Sequence, residues 1–200
     1  MAQLIPLTLP QWRVVSRAIP LAAILLCCLL GAGPAAARSK TETPSPGSGT
    51  VQTLPDATYG DTLAKQIQAA SQRIDLAMFL FKTSPSGNNR PAGLARDLIA
   101  ARQRGVAVRV ILEYSNYDPK LNRANQETAE ALRKGGVTVL FDSPKRTSHA
   151  KLAVIDRRYC LVGSHNLTQS ALSHNHEFSL LLDNPALAEE ILAYMETLLP

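Results

Sequence analysis

The sequence predicts an α/β domain in which a sheet carries helices on both of its faces. Two observations predict it. From Val51 onward, short apolar runs rich in β-branched residues alternate with segments of helical period. The run at 106–113 is apolar almost throughout, the pattern of a strand buried on two sides. A mature region of about 160 residues buries roughly 70% of its unfolded surface, enough to stand without disulfide staples.

The elements follow in order. Residues 61–72 read as an amphipathic helix with Leu63, Ile67 and Ala70 on one face, and 73–81 as a strand followed by a polar loop. A second helix, 92–104, stops at Gly105 and leads into the buried strand 106–113. A third helix, 121–134, ends at Gly135-Gly136 and precedes a strand at 137–141. Segments 149–155 and 159–162 read as paired strands turning at Asp156-Arg157-Arg158. A last strand, 177–182, and a closing helix, 185–199, complete the chain.

The first 37 residues read as an address. Arg13 and Arg17 precede an uncharged stretch, 18–37, with an apolar centre, the helix breakers Gly31 to Pro34, and small residues at Ala35-Ala36-Ala37. This is a signal-peptide pattern with cleavage before Arg38, and it predicts export to the periplasm or beyond. The alternative is an uncleaved anchor, since 20 residues can just span a bilayer. Residues 38–50, rich in Ser, Thr, Pro and Gly, read as a linker to a domain at 51–200. Cleavage removes Cys27 and Cys28 and leaves Cys160, which reads as an inert core residue.

Composition excludes a disordered chain and a coiled coil, with 46% hydrophobic and 18% charged residues. The net charge of +5 is unevenly placed. Residues 38–158 carry 19 Lys and Arg against 11 Asp and Glu, whereas 159–200 hold five acids and no Lys or Arg. The positive field belongs to the front of the domain, which favours an anionic partner.

The chemistry concentrates around His149. His149 and Lys151 are two apart on an expected strand, so their side chains share a face, with Ala150 and Leu152 on the other. Gly163 ends the partner strand, where a turn without a Cβ is expected, and Ser164 and Asn166 follow two apart. An imidazole, an ammonium, a hydroxyl and an amide in one place suit a phosphate, with His149 the group whose pKa suits attack or proton transfer.

The run His149-x-Lys151-x4-Asp156, six residues, Gly163-Ser164-x-Asn166 resembles the HKD signature of the phospholipase D superfamily, matching at all six fixed positions. The resemblance implies an α/β/α sandwich with a mixed, mostly parallel sheet, as in the small bacterial endonuclease branch. It implies that His149 forms a covalent phosphohistidine and that Lys151, Ser164 and Asn166 bind the phosphoryl oxygens. Asp156 and Gly163 would be structural, Glu177 would orient a catalytic histidine, and neither a metal nor a cofactor is implied. Larger family members carry two motifs and this chain carries one, so the resemblance implies a homodimer that shares one site.

The substrate stays open at this point. A non-specific endonuclease on DNA or RNA is one reading, a phospholipase D acting on phosphatidylcholine-type lipids the alternative, and an inactive nucleic-acid-binding module a third. Tyr114 and Tyr117 either stack on bases or pack their loop. Lys145, Arg146, Arg157 and Arg158 flank the motif in sequence and are candidates for phosphate-backbone contacts. His165 occupies the motif's variable position and is expected to be incidental. His174 and His176 have the spacing of half a metal site, without the further ligands that would complete it.

Overall fold

A computed structural model describes residues 49–85 and 88–200. The segment 1–37 and nearly all of the linker 38–50 lie outside the described residues. Among the described residues, no helix is long and apolar enough to cross a membrane.

The elements run β1 (Val51–Pro55), α1 (Thr58–Ala69), β2 (Arg73–Met78), α2 (Arg90–Gln103), β3 (Ala107–Leu112), α3 (Pro119–Lys134), β4 (Thr138–Phe141), β5 (Lys151–Ile155), β6 (Tyr159–Gly163), α4 (Gln169–Ser173), β7 (Phe178–Asp183) and α5 (Pro185–Glu196). They form a seven-stranded sheet in the order β1-β7-β6-β5-β2-β3-β4. The sheet is mixed, as expected, but not mostly parallel as expected: its parallel pairing is confined to β2-β3 and β3-β4. Those are the pairs joined by the helical crossovers α2 and α3, which parallel neighbours need. The pairs β1-β7, β7-β6, β6-β5 and β5-β2 are antiparallel.

Period-two alternation divides the strand residues between two cores. Ile74, Leu76 and Met78 of β2, Val108, Val110 and Leu112 of β3, and Ala153 and Ile155 of β5 pack with α1, α2 and α3. Ala77, Ile111, Val154 and Cys160 face the other way, onto Ala188, Ile191, Leu192 and Met195 of α5. Asn89, Asp118 and Asn184 cap α2, α3 and α5 through their side chains, each followed closely by a proline that pre-sets the first turn. Two elements have no signal in the sequence. β1 is an edge strand with only Leu54 buried, and α4 is a single turn and a half capped by Thr168.

Two boundaries shift because side chains from far along the sequence capture the backbone. The first helix ends at Ala69 because Asp156 takes up the next free amides. Its carboxylate accepts from Ser71 N (2.9 Å), Gln72 N (2.8 Å) and Arg73 N (2.9 Å), and from the Ser71 hydroxyl (2.9 Å). The strand expected to reach residue 81 stops at Met78, because Asn125 of α3 binds Phe79 O and Phe81 N while Thr128 binds Phe81 O.

Asp156 and Arg157 are both left-handed (φ 52° each) in the β5-β6 turn, which Arg158 N closes onto Ile155 O at 3.1 Å. Burial raises the Asp156 pKa, but the amides of Arg73, Ser71 and Gln72 outweigh it and hold the carboxyl below the usual range. Its contribution is therefore present above about pH 3.9 and lost as pH falls through the lowered folded-state pKa. Asp156→Ala should cost ~2–4 kcal/mol at pH 7 by urea unfolding, the worth of several charge-assisted bonds, and flatten the acid limb of stability. An unchanged midpoint would contradict this.

Gly163 is needed for a close approach. A Cβ there would lie 2.4 Å from Ser179 Cα and 2.5 Å from Phe178 O on the paired strand β7. The expectation of a turn is thus replaced by a packing reason. Gly163→Ala should destabilise by ~1–3 kcal/mol through overpacking, read as a lower urea midpoint at unchanged m.

Candidate active site

Strand register brings one set of strand ends to one side of the sheet: Met78, Leu112, Phe141, Lys151, Gly163, Phe178 and Pro55. The motif residues lie there. Lys151 opens β5; His149 precedes the strand proper, on a segment tied to β2 through Phe79 N and Ala150 O at 2.9 Å. The strand expected from 149 thus begins at 151. The two side chains still meet, as alternation requires, with Lys151 Nζ 3.1 Å from His149 Nδ1 and 2.8 Å from His149 O.

The two groups differ in exposure. His149 is exposed, with its ring centroid 4.5 Å from that of Phe79. Lys151 is 7% exposed, and its ammonium lies 4.9 Å from the Phe79 ring centre. Burial pushes its pKa down to about 8, with the charge of Glu177 opposing. Phe79 thus props both groups, a role that nothing in its own strand pattern signals. His149 also borders a cavity of about 170 Å³ with Asp142, Arg146, Ser148 and Tyr194 among its walls.

Glu177 makes no hydrogen bond to His149. Its carboxylate takes the Ser164 hydroxyl and, at 3.0 Å, the Asn175 amide. Burial raises its pKa, but these two donors, with His165 and Lys151 behind them, hold it below the usual range. Ser164 in turn accepts from Phe178 N at 3.1 Å. Its one proton is committed to Glu177, so in this arrangement it does not make the expected donation to a phosphoryl oxygen. Asn166 is half-buried, and its Oδ1 is buried without a hydrogen-bond partner. That oxygen can only accept, so any hold on a phosphoryl oxygen falls to the Nδ2 amide hydrogens of the same side chain.

His165 is part of the architecture. It is fully buried and stacks on Tyr59 at 4.3 Å. Its Nε2 lies 2.9 Å from Asp56 O and its Nδ1 2.7 Å from Ser179 Oγ. A carbonyl can only accept, so Nε2 carries the proton and Nδ1 takes the serine's, which makes the neutral ring the satisfied one. Burial lowers its pKa accordingly. His174 and His176 are exposed, the latter with Nδ1 3.6 Å from Asp56 Oδ2. Cys160 is buried, which pushes its thiol up to about 11.

The flanking cations separate. Lys145 and Arg146 are exposed on the loop before His149. Arg157 and Arg158 follow β5, roughly 17 Å of strand away at the opposite end of the sheet's strands. There Arg157 pairs with Glu189, and Arg158 with Asp183 at 2.6 Å. They are corrected from candidate substrate contacts to ion pairs remote from the site. Tyr114 packs edge-on to Phe141, at 5.9 Å between centroids, while Tyr117 is 89% exposed.

The sheet thus gathers an imidazole, a desolvated ammonium and a side-chain amide at one end, a set whose chemistry suits a phosphoryl group. The family model described as cardiolipin synthase, PLD-like domain, matches residues 63–199, and the chain belongs to that family. Among curated relatives, a phospholipase D of Rickettsia felis is 33% identical over 95 residues, covering 48% of this chain and 45% of its own length. The human mitochondrial cardiolipin hydrolase is 32% identical over 122 residues, covering 61% of this chain and 43% of its own. The chain thus spans less than half the length of these relatives. Among solved structures, the phospholipase D family member Nuc of Salmonella typhimurium superposes with a TM-score of 0.63 at 24% identity, over 75% of this chain and 93% of the other. NucT of Helicobacter pylori superposes at 0.57 and 20% identity, over 75% and 94%. At those identities the likeness is one of fold.

Proposed function

We propose that the domain is a phosphodiesterase working through a phosphohistidine at His149, most specifically an exported endonuclease acting as a homodimer. The observation that carries the reaction is the buried Lys151 ammonium 3.1 Å from His149 Nδ1. While Lys151 donates to Nδ1, the neutral ring keeps its proton on Nε2 and cannot attack. A phosphodiester draws the ammonium onto its own oxygens and frees Nδ1 to take the proton. The Nε2 lone pair then attacks phosphorus; an N–P bond forms as the P–O bond to the leaving group breaks. Lys151 and Asn166 hold the non-bridging oxygens as charge develops. A second acid protonates the leaving oxygen. Water then attacks phosphorus, the N–P bond breaks, and His149 is restored.

One protomer offers a single such histidine. The second acid is the partner's His149 in a two-fold dimer, which is also the histidine left for Glu177 to orient, since Glu177 does not reach its own. Export rests on the reading of residues 1–37 as a signal peptide.

Nucleic acid is favoured by Tyr117, Lys145 and Arg146, which stand exposed on loops at the His149 end of the sheet. A phospholipid is the second reading, favoured by the names of the relatives, phospholipase D and cardiolipin hydrolase. The test incubates the full chain in EDTA with single-stranded DNA, duplex DNA, RNA, and vesicles of phosphatidylcholine or cardiolipin. Cleavage of nucleic acid supports the nuclease; lipid hydrolysis with nucleic acid intact moves the reading to the lipid. No turnover on any of them overturns the phosphodiesterase.

A further inference from the structure

Glu113 and Asp142 follow β3 and β4 directly, on neighbouring parallel strands whose ends are tied by Asp142 N to Leu112 O at 3.0 Å. They are 2% and 3% exposed, and among the described residues no Lys or Arg pairs with either. Two isolated buried carboxylates side by side are costly, and nothing in the reaction outlined above uses them.

Their bonds point to the loop that carries His149. Glu113 Oε2 accepts from Ser148 N at 2.6 Å, one residue before the histidine. Asp142 Oδ1 accepts from Tyr114 N at 2.7 Å, while its Oδ2 is buried with no partner as an acceptor. A proton on Oδ2 turns that orphan into a donor toward Glu113. Arg146 and His149 on the loop and Tyr194 of α5 share the cavity wall with Asp142, and Tyr114 follows Glu113 directly.

We infer that the Glu113–Asp142 pair is a positioning device for His149: it fixes the Ser148 amide, and it does so while the two carboxyls share one proton. Burial first, and Glu113 second, push the Asp142 pKa up to about 7. The sign follows. Below that pH a protonated Asp142 donates to Glu113 and the loop is held through Ser148; above it Asp142 loses that proton beside Glu113 and the loop loosens. The device rests on the phosphodiesterase reading for its purpose, though not for its structural test.

That test follows the Ser148 amide by ¹⁵N–¹H NMR on the full chain between pH 6 and 8.5. A resonance that moves with a midpoint near 7 in wild type, and loses that midpoint in Asp142→Asn, is the expected result. A resonance that does not move, or moves identically in Asp142→Asn, overturns the inference. In turnover, Glu113→Ala should lower kcat ~100-fold at near-constant KM, because a displaced nucleophile costs about that much. Glu113→Gln keeps an acceptor for Ser148 N and should stay within about fivefold of wild type while losing the pH-dependent part. Equal kcat for wild type and the Ala variant would also overturn the inference. If the Ala variant fails to fold, the near-isosteric Gln and Asn variants still decide. Absence of turnover in wild type would sink the phosphodiesterase and leave the amide titration to judge the pair.

Discussion

His149→Ala should abolish phosphodiester cleavage, lowering the rate ~10⁴-fold or more while substrate binding persists within a fewfold. Removing a nucleophile deletes the covalent route, and in a shared two-histidine site the same substitution also deletes the general acid. Binding survives because Lys151 and Asn166 carry the electrostatics. The structure supports that separation: His149 is exposed and makes few contacts, so its truncation leaves both cores untouched. Thermal or urea midpoints should match those of wild type. Full turnover in EDTA by the Ala variant would place the chemistry elsewhere.

Lys151→Ala should cost ~10²–10³-fold in kcat/KM, the usual worth of one preorganised donor to a developing charge. Its pH dependence is the sharper test. Burial lowers the ammonium's pKa to about 8, so the free enzyme loses the cation as pH rises through that value and kcat/KM falls with it. The limb should vanish in Lys151→Ala and move up in Lys151→Arg, whose guanidinium stays charged. Asp142 titrates near 7 and gives a separate limb, so the two are resolved in the Asp142→Asn background. A limb near 8 that survives in Lys151→Ala would show that another group causes it.

The site was legible where its parts are local. His149 and Lys151 are two apart, and the hairpin that returns through β6 sets Gly163, Ser164 and Asn166 beside them, with Leu152 paired to Val162. Spacing along one hairpin carries that geometry, and the family signature is a record of it. Phe79, Glu113 and Asp142 were not legible, because each follows a different strand. What unites them is the register of β2, β3, β4 and β5, which no spacing in the chain encodes.

Proximity in sequence misled in the other direction for Arg157 and Arg158. They adjoin the motif's aspartate, yet the length of β5 carries them to the far end of the sheet. The fold class was readable from alternation of apolar runs and amphipathic segments. Element ends were less so, since Asp156 and Asn125 decide them from 85 and 44 residues away. His165 shows the same limit, as only the packing of Tyr59, Asp56 and Ser179 turns a variable position into a buried support.

The proposed reaction turns on a covalent N–P bond at His149 in a site shared by two chains. Mixing the enzyme with bis-p-nitrophenyl phosphate and quenching in base within milliseconds tests it, because phosphohistidine survives base. Peptide mass spectrometry should find the nitrophenyl phosphoryl adduct on His149, and the burst of nitrophenolate should approach one per two chains. Turnover with neither adduct nor burst would contradict the covalent mechanism, and a burst of one per chain from a monomer would contradict the shared site.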